Sequence, residues 1–143
     1  MLERNLKILQ INVNRSSLAT EGALEYARDL DIDLIAKSRS ITHPSYNCIV
    51  PSPTSPSTRP RTLLYFRRDL GLELAQKNLR DSDLQSIDIR DKRNQLTLLN
   101  IYNERDINNI WTLDRTLYKL PIPKSTILLG DFNIHHPVWE PST

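Results

Sequence analysis

Three short polar motifs, each closing an apolar run, are the residues of this sequence best suited to chemistry. Ile127-Leu128-Leu129 runs into Gly130-Asp131-Phe132-Asn133. A carboxylate and an amide at i and i+2 after a strand can point the same way, Asp131 to accept a proton from water and Asn133 to hold that water or a phosphate oxygen. Polar groups at the carboxyl end of a strand face the usual ligand crevice of an open sheet. The same residues also fit a turn closed by Asx hydrogen bonds, which needs no ligand. Two other runs end alike, in Gln10-Ile11-Asn12-Val13-Asn14 and in Leu99-Asn100-Ile101-Tyr102-Asn103.

The apolar pattern supplies elements to hold these motifs. Leu6, Ile8, Leu9, Ile11 and Val13 form a nearly continuous run, which predicts a strand over 6–13 buried on both faces. Ser16 or Ser17 can cap a helix over 17–30, where Leu18, Ala23, Leu24, Ala27 and Leu30 keep helical spacing. Leu34-Ile35-Ala36 then completes a strand, helix, strand unit of a parallel or mixed sheet. From Thr62 onward, runs at 63–66, 72–74, 84–89 and 96–101 read as successive strands, with an antiparallel hairpin turning at Arg90-Asp91-Lys92-Arg93-Asn94. Ile110, Leu113, Leu117 and Leu120 predict a helix stopped by Pro121, with Trp111 and Tyr118 packed in the core, before a last strand at 127–129. The stretch 51–60 holds four prolines and predicts an exposed loop, because proline cannot donate to a ladder.

The 143 residues fit one domain, and 38% hydrophobic residues suffice for a core. The glycines Gly22, Gly71 and Gly130 are too few and scattered for a glycine-rich loop around a phosphate, which excludes Walker-type and Rossmann-type sites. The lone Cys48 can form neither an internal disulfide nor a thiolate zinc shell, and it fits a reducing compartment. No apolar run approaches the roughly 18 residues that span a bilayer, so no membrane is expected as a partner. Glu3, Arg4 and Lys7 interrupt the apolar start that an export signal would need. A net charge of +2 and a pI near 8.8 tolerate a polyanionic partner without demanding one.

With these strand ends, the sequence resembles the superfamily of metal-dependent endonucleases, exonucleases and phosphatases. Asn12-Val13-Asn14-Arg15-Ser16, Arg59-Pro60-Arg61, Asn100-Ile101-Tyr102-Asn103-Glu104 and Gly130-Asp131-Phe132-Asn133-Ile134-His135-His136-Pro137-Val138-Trp139 are similar to motifs of the endonuclease domains of LINE-type, non-LTR retrotransposons. The resemblance covers nearly the whole chain. It implies an α/β fold, a partial four-layer α/β/β/α sandwich with mixed sheets, and hydrolysis of a DNA phosphodiester in the nucleus. It makes Asp131 the general base, gives Asn133 the orientation of water and phosphate, sets Tyr102 against the scissile phosphate, and sets Asn12 beside a magnesium or manganese ion. It assigns Asn14, Arg15, Asn103 and His135 to the nucleic-acid side, with DNA as the partner.

The resemblance also carries departures. After the strand at 33–36 the family has Gln-Glu-Pro, whose glutamate is the principal metal ligand. Here Ala36-Lys37-Ser38-Arg39 holds no carboxylate, and Lys37 or Arg39 beside the site would repel a divalent cation. The family continues past the Asp131 motif to a late Asp and a Ser-Asp-His pair, whereas this sequence stops at Thr143. The expectation is a truncated, degenerate or inactive endonuclease domain with weakened metal binding, prone to self-association through an incomplete sheet. The alternatives are a non-catalytic nucleic-acid-binding remnant and, less in keeping with residues 135–139, a phosphatase of small phosphoesters. Arg59, Arg61, Arg67 and Arg68 form a local basic cluster suited either to a DNA backbone or to a solvated strand end. His43 before Pro44 is read as a loop residue, and His136 as a surface residue.

Overall fold

The computed structural model describes residues 5–12, 16–37, 42–51 and 60–133. The first strand, β1, is Ile8–Gln10, shorter than the run over 6–13. The Ile11 amide still donates to the Ala36 carbonyl beyond it, and Val13 lies outside the described residues. Helix α1, Ser17–Asp29, starts at Ser16, whose hydroxyl accepts from the Ala19 amide. It returns the chain to β2, Leu34–Lys37, parallel to β1 with Ile8 opposite Leu34. Strand β3, Tyr46–Ile49, was not anticipated from the sequence; it is an outer strand of four residues, two of them Asn47 and Cys48. Strand β4, Leu63–Arg67, runs antiparallel between β2 and β3, giving the order β1-β2-β4-β3.

The second sheet has the order β5-β6-β7-β8, from β5 (Glu73–Lys77), β6 (Leu84–Arg90), β7 (Gln95–Tyr102) and β8 (Thr126–Asp131). The expected hairpin joins β6 to β7, with Arg90 opposite Gln95, while β8 runs parallel to β7. The helix expected over 110–120 is instead one α-turn, α2 (Thr112–Arg115), followed by a 3-10 turn at Leu117–Lys119. Thr116 at φ −130° interrupts the two, and Ile110 and Tyr118 stay exposed. Trp111 precedes α2 and lies under the Arg105 guanidinium, 4.8 Å from ring centre to Cζ, so neither aromatic packs in the core.

Strand alternation sorts the apolar residues into three interfaces. Leu34, Ala36 and Leu64 face Ile87, Ile89 and Leu98 between the sheets. Ile35, Leu63 and Tyr65 on the opposite face of the first sheet cover Leu24 and Ala27 of α1. Leu84, Leu99 and Ile101 on the outside of the second sheet take Leu117, Leu113 and Leu120. The layers are therefore helix, sheet, sheet and helical turns, the α/β sandwich expected from the sequence. The loop expected to be exposed over 51–60 begins buried at Pro51, because the Gln76 amide holds the Val50 carbonyl at 3.0 Å against the second sheet. Residues 52–59 lie outside the described part.

Candidate functional site

Both parallel pairs, β1 with β2 and β7 with β8, point their carboxyl ends the same way, and β4 and β6 start there. At this end the sheets frame a crevice whose polar lining includes Asn12, Lys37, Arg61, Asn100, Tyr102 and Asp131. Behind it, Asn100 and Gln85, paired across β6 and β7, tie the second sheet to the first. The Asn100 amide donates to the Leu63 carbonyl (3.2 Å) and to Gln85 Oε1 (3.1 Å), and Gln85 donates to the Ile49 carbonyl (2.9 Å). Asn12, Tyr102 and Asp131, predicted from separate strand ends, thus share one crevice.

Tyr102 and Asp131 are register partners in the parallel β7–β8 pair. Alternation from Leu98 and Asn100 turns Tyr102 toward the space between the sheets, and alternation from Leu129 does the same for Asp131. Gly130 between them has φ +137°, and a Cβ there would sit 1.9 Å from the Ile101 carbonyl oxygen, so only glycine fits. Past β8 the chain turns sharply. Asp131 Oδ1 accepts from the Asn133 amide at 3.1 Å, and Asn133 takes φ +46°. The Asx turn of the ligand-free alternative is therefore present, formed with one carboxylate oxygen. Asn133 Nδ2 donates to the Asn103 carbonyl (2.9 Å), and the Asn103 amide donates to the Asp131 carbonyl (2.7 Å).

Asn103, expected on the nucleic-acid side, is 3% exposed. Its Nδ2 donates to the Phe132 carbonyl (2.8 Å) and its Oδ1 accepts from the Leu113 amide (3.3 Å). That side chain ties the two loops together. Asn14, Arg15 and His135 lie outside the described residues, as do Arg39, Arg59 and His136.

A charged network that sequence reasoning missed flanks the crevice. Arg61 grips Asp83 through Nε and Nη2, and its Cζ lies 4.9 Å from the centre of the Tyr102 ring. Arg115 Nη2 reaches Asp83 Oδ2 (2.8 Å), and Arg115 also binds Asp81 through Nε (2.9 Å) and Nη2 (3.0 Å). Burial alone would raise the Asp81 carboxyl, yet hydrogen bonds from Arg115, the Thr116 hydroxyl and the Asp83 amide outweigh it and hold it below the usual aspartate range. The hydrogen bond to Asp83 likewise raises Arg61 above its ordinary value. Asp81-Ser82-Asp83 immediately before a strand was a visible signal, but its partners are 22 to 35 residues away in sequence.

Among the described residues of the local basic cluster, Arg61 stands apart from Arg67 and Arg68. Arg61 precedes β4 and Arg67 ends it, about 20 Å apart along an extended strand. Arg67 there pairs with Asp33 (3.2 Å) and Asp69 (2.7 Å), at the end opposite the crevice. His43 is 4% exposed, and its Nε2 meets Glu25 Oε1 of α1 at 2.8 Å while Nδ1 accepts from the Ser45 amide. It clamps its loop to the helix.

Lys37 closes β2 at the crevice wall, 5% exposed, with Nζ 4.9 Å from the centre of the Tyr65 ring. Among the described residues no group of three or more His, Cys, Asp or Glu side chains could hold a metal ion. None of the described helices is long and apolar enough to cross a membrane.

Residues 96–143 match a family model described as endonuclease-reverse transcriptase. No curated protein matches the chain. Among solved structures, the chain is similar to the endonuclease domain of TRAS1, a telomere-specific non-LTR retrotransposon, with a TM-score of 0.76 and 18% identity. That match covers 94% of this chain and 63% of the other. It is also similar to a humanized D. rerio TDP2 carrying 14 mutations, with a TM-score of 0.60, 14% identity, and coverage of 92% of this chain and 64% of that one. The chain spans slightly under two thirds of the length of both structures. The four layers and these two structural matches give the chain the endonuclease/exonuclease/phosphatase fold.

Proposed function

We propose that this chain is the DNA-directed endonuclease domain of a non-LTR retrotransposon in a degenerate form, in which the crevice meets the nucleic-acid backbone without efficient hydrolysis. One observation carries it: Tyr102 and Asp131 stand side by side on the inner face at the carboxyl ends of β7 and β8, within the segment matched by the endonuclease-reverse transcriptase model. In this reading Asp131 is positioned to take a proton from water, and Tyr102 to meet a phosphate oxygen. Asn133 orients water or phosphate through its amide oxygen, since its nitrogen is committed to Asn103. Asn14, Arg15 and His135 extend the nucleic-acid side.

The fold family implies a divalent cation, magnesium or manganese, beside Asn12. Such ions take hard oxygen ligands and favour carboxylates. Among the described residues, the charged lining of the crevice is Asp131 against Lys37 and Arg61, so this donor set does not fit a resident magnesium ion, and binding is weakened or lost. Degeneracy follows from the same balance. Removing a charge-stabilising group of this kind costs a hydrolytic reaction about 3 kcal/mol or more.

Nicking of supercoiled plasmid in magnesium or manganese tests the function. The expected result is no nicking above the level of the Asp131→Ala variant. Robust metal-dependent nicking that disappears in Asp131→Ala would overturn degeneracy. Turnover of a soluble phosphomonoester with no DNA cleavage or binding would favour a phosphatase instead.

A further inference from the structure

The catalytic and metal roles implied by the resemblance do not include Arg61, yet it is the guanidinium that both lines the crevice and covers Tyr102. Its fork is fixed from behind. Asp83 takes Nε and Nη2, and among the described residues no acceptor meets Nη1. The acids of the network face inward: the side chains of Asp83 and Asp81 are 4% and 8% exposed, and that of Arg61 is 30% exposed. Arg115 and Thr116 occupy much of the hydrogen-bonding capacity of those acids. The surface that this network offers to the crevice is therefore the free edge of a pre-oriented guanidinium, the geometry suited to a phosphate oxygen.

We propose that Arg61 is the phosphate-binding group of the crevice and takes a backbone phosphate on Nη1 beside the Tyr102 ring, without a divalent cation. The proposal rests on the reading of the domain as one that meets DNA, and adds to it the residue and the metal-free mode of contact. Charge gives it a distinctive sign. Asp131 lines the same crevice and opposes a bound phosphate, with Lys37 in the wall as its counterweight. Neutralising Asp131 therefore strengthens phosphate binding, whereas at a metal-bridged site it would weaken it.

The test is fluorescence anisotropy of a labelled DNA duplex in EDTA across a salt series. Wild type is expected to bind; Arg61→Gln to bind about tenfold more weakly, with a salt slope lower by about one; and Asp131→Asn to bind several-fold more tightly. Arg68→Gln, exposed at the far end of β4, is expected to change neither affinity nor slope. Unchanged affinity and slope in Arg61→Gln, or binding that needs magnesium and is lost in Asp131→Asn, would overturn the proposal. Because Arg61→Gln could unfold the network, the Arg61 Nε–H resonance of wild type is also followed during titration with inorganic phosphate. A saturable shift in EDTA supports the site without any variant, and no shift overturns it. A phosphate shift without DNA binding would retain Arg61 as a site for small phosphoesters and reject the DNA-directed reading instead.

Discussion

Asn103 and Asn133 each hydrogen-bond the backbone of the other's loop, Asn133 Nδ2 to the Asn103 carbonyl and Asn103 Nδ2 to the Phe132 carbonyl. This cross-tie fixes the turn after Asp131 to the end of β7, so the position of the carboxylate depends on two amides outside the strands. Asn103→Ala leaves buried groups of both loops without partners and is expected to cost about 1–3 kcal/mol of stability, measured as a lower urea midpoint. An unchanged midpoint would mean that the turn is held by other contacts.

Gly130 is the tightest point of the site. A methyl group 1.9 Å from the Ile101 oxygen, at φ +137°, cannot be accommodated without parting β7 from β8. Gly130→Ala is expected to cost at least about 3 kcal/mol, a large part of the roughly 5–15 kcal/mol of an ordinary domain, measured as a lower thermal midpoint.

The Asp81 network makes stability depend on acid. The Asp81 carboxyl is held below its ordinary value when folded, so its contribution is fully present above the unfolded pKa of about 3.9 and is lost as pH falls through the lower folded value. Urea midpoints measured downward from pH 6 are expected to fall steeply below about pH 4, and Asp81→Asn to flatten that fall. Arg115→Gln leaves the buried Asp81 without its cation, while Asp83 keeps Arg61, and is expected to cost about 3–5 kcal/mol at neutral pH.

Strand β8 is an outer strand that presents Ile127 and Leu128, 37% and 42% exposed, beside an edge with no neighbour among the described residues. Such an edge invites pairing with another chain. Sedimentation velocity is expected to detect concentration-dependent association that Leu128→Lys reduces. A monomer at all concentrations would show the edge to be protected.

The elements legible in the sequence were those whose apolar residues carry the period of a single element. The α1 stripe, the β6–β7 hairpin and the run into Gly130-Asp131 all follow from local patterning. Local patterning failed where tertiary contacts override it. Ile110, Leu113, Leu117 and Leu120 keep helical spacing, but Thr116 breaks the helix and Leu117 is buried from a 3-10 turn. The arginines at 61, 67 and 68 are neighbours in sequence, and β4 carries them to opposite ends of the sheet. At the site, Asp131 and Tyr102 could be read because strand ends announce themselves. Arg61, Asp83 and Arg115 could not be connected, since ion pairs across two sheets leave no spacing to recognise.

The most direct measurement is the amide correlation spectrum of the chain during a titration with millimolar magnesium. A crevice lined, among the described residues, by Lys37, Arg61 and a single carboxylate gives dispersed peaks with no saturable shift at Asn12, Tyr102 or Asp131. Saturable shifts confined to those three residues would reveal a working metal centre and contradict a degenerate site.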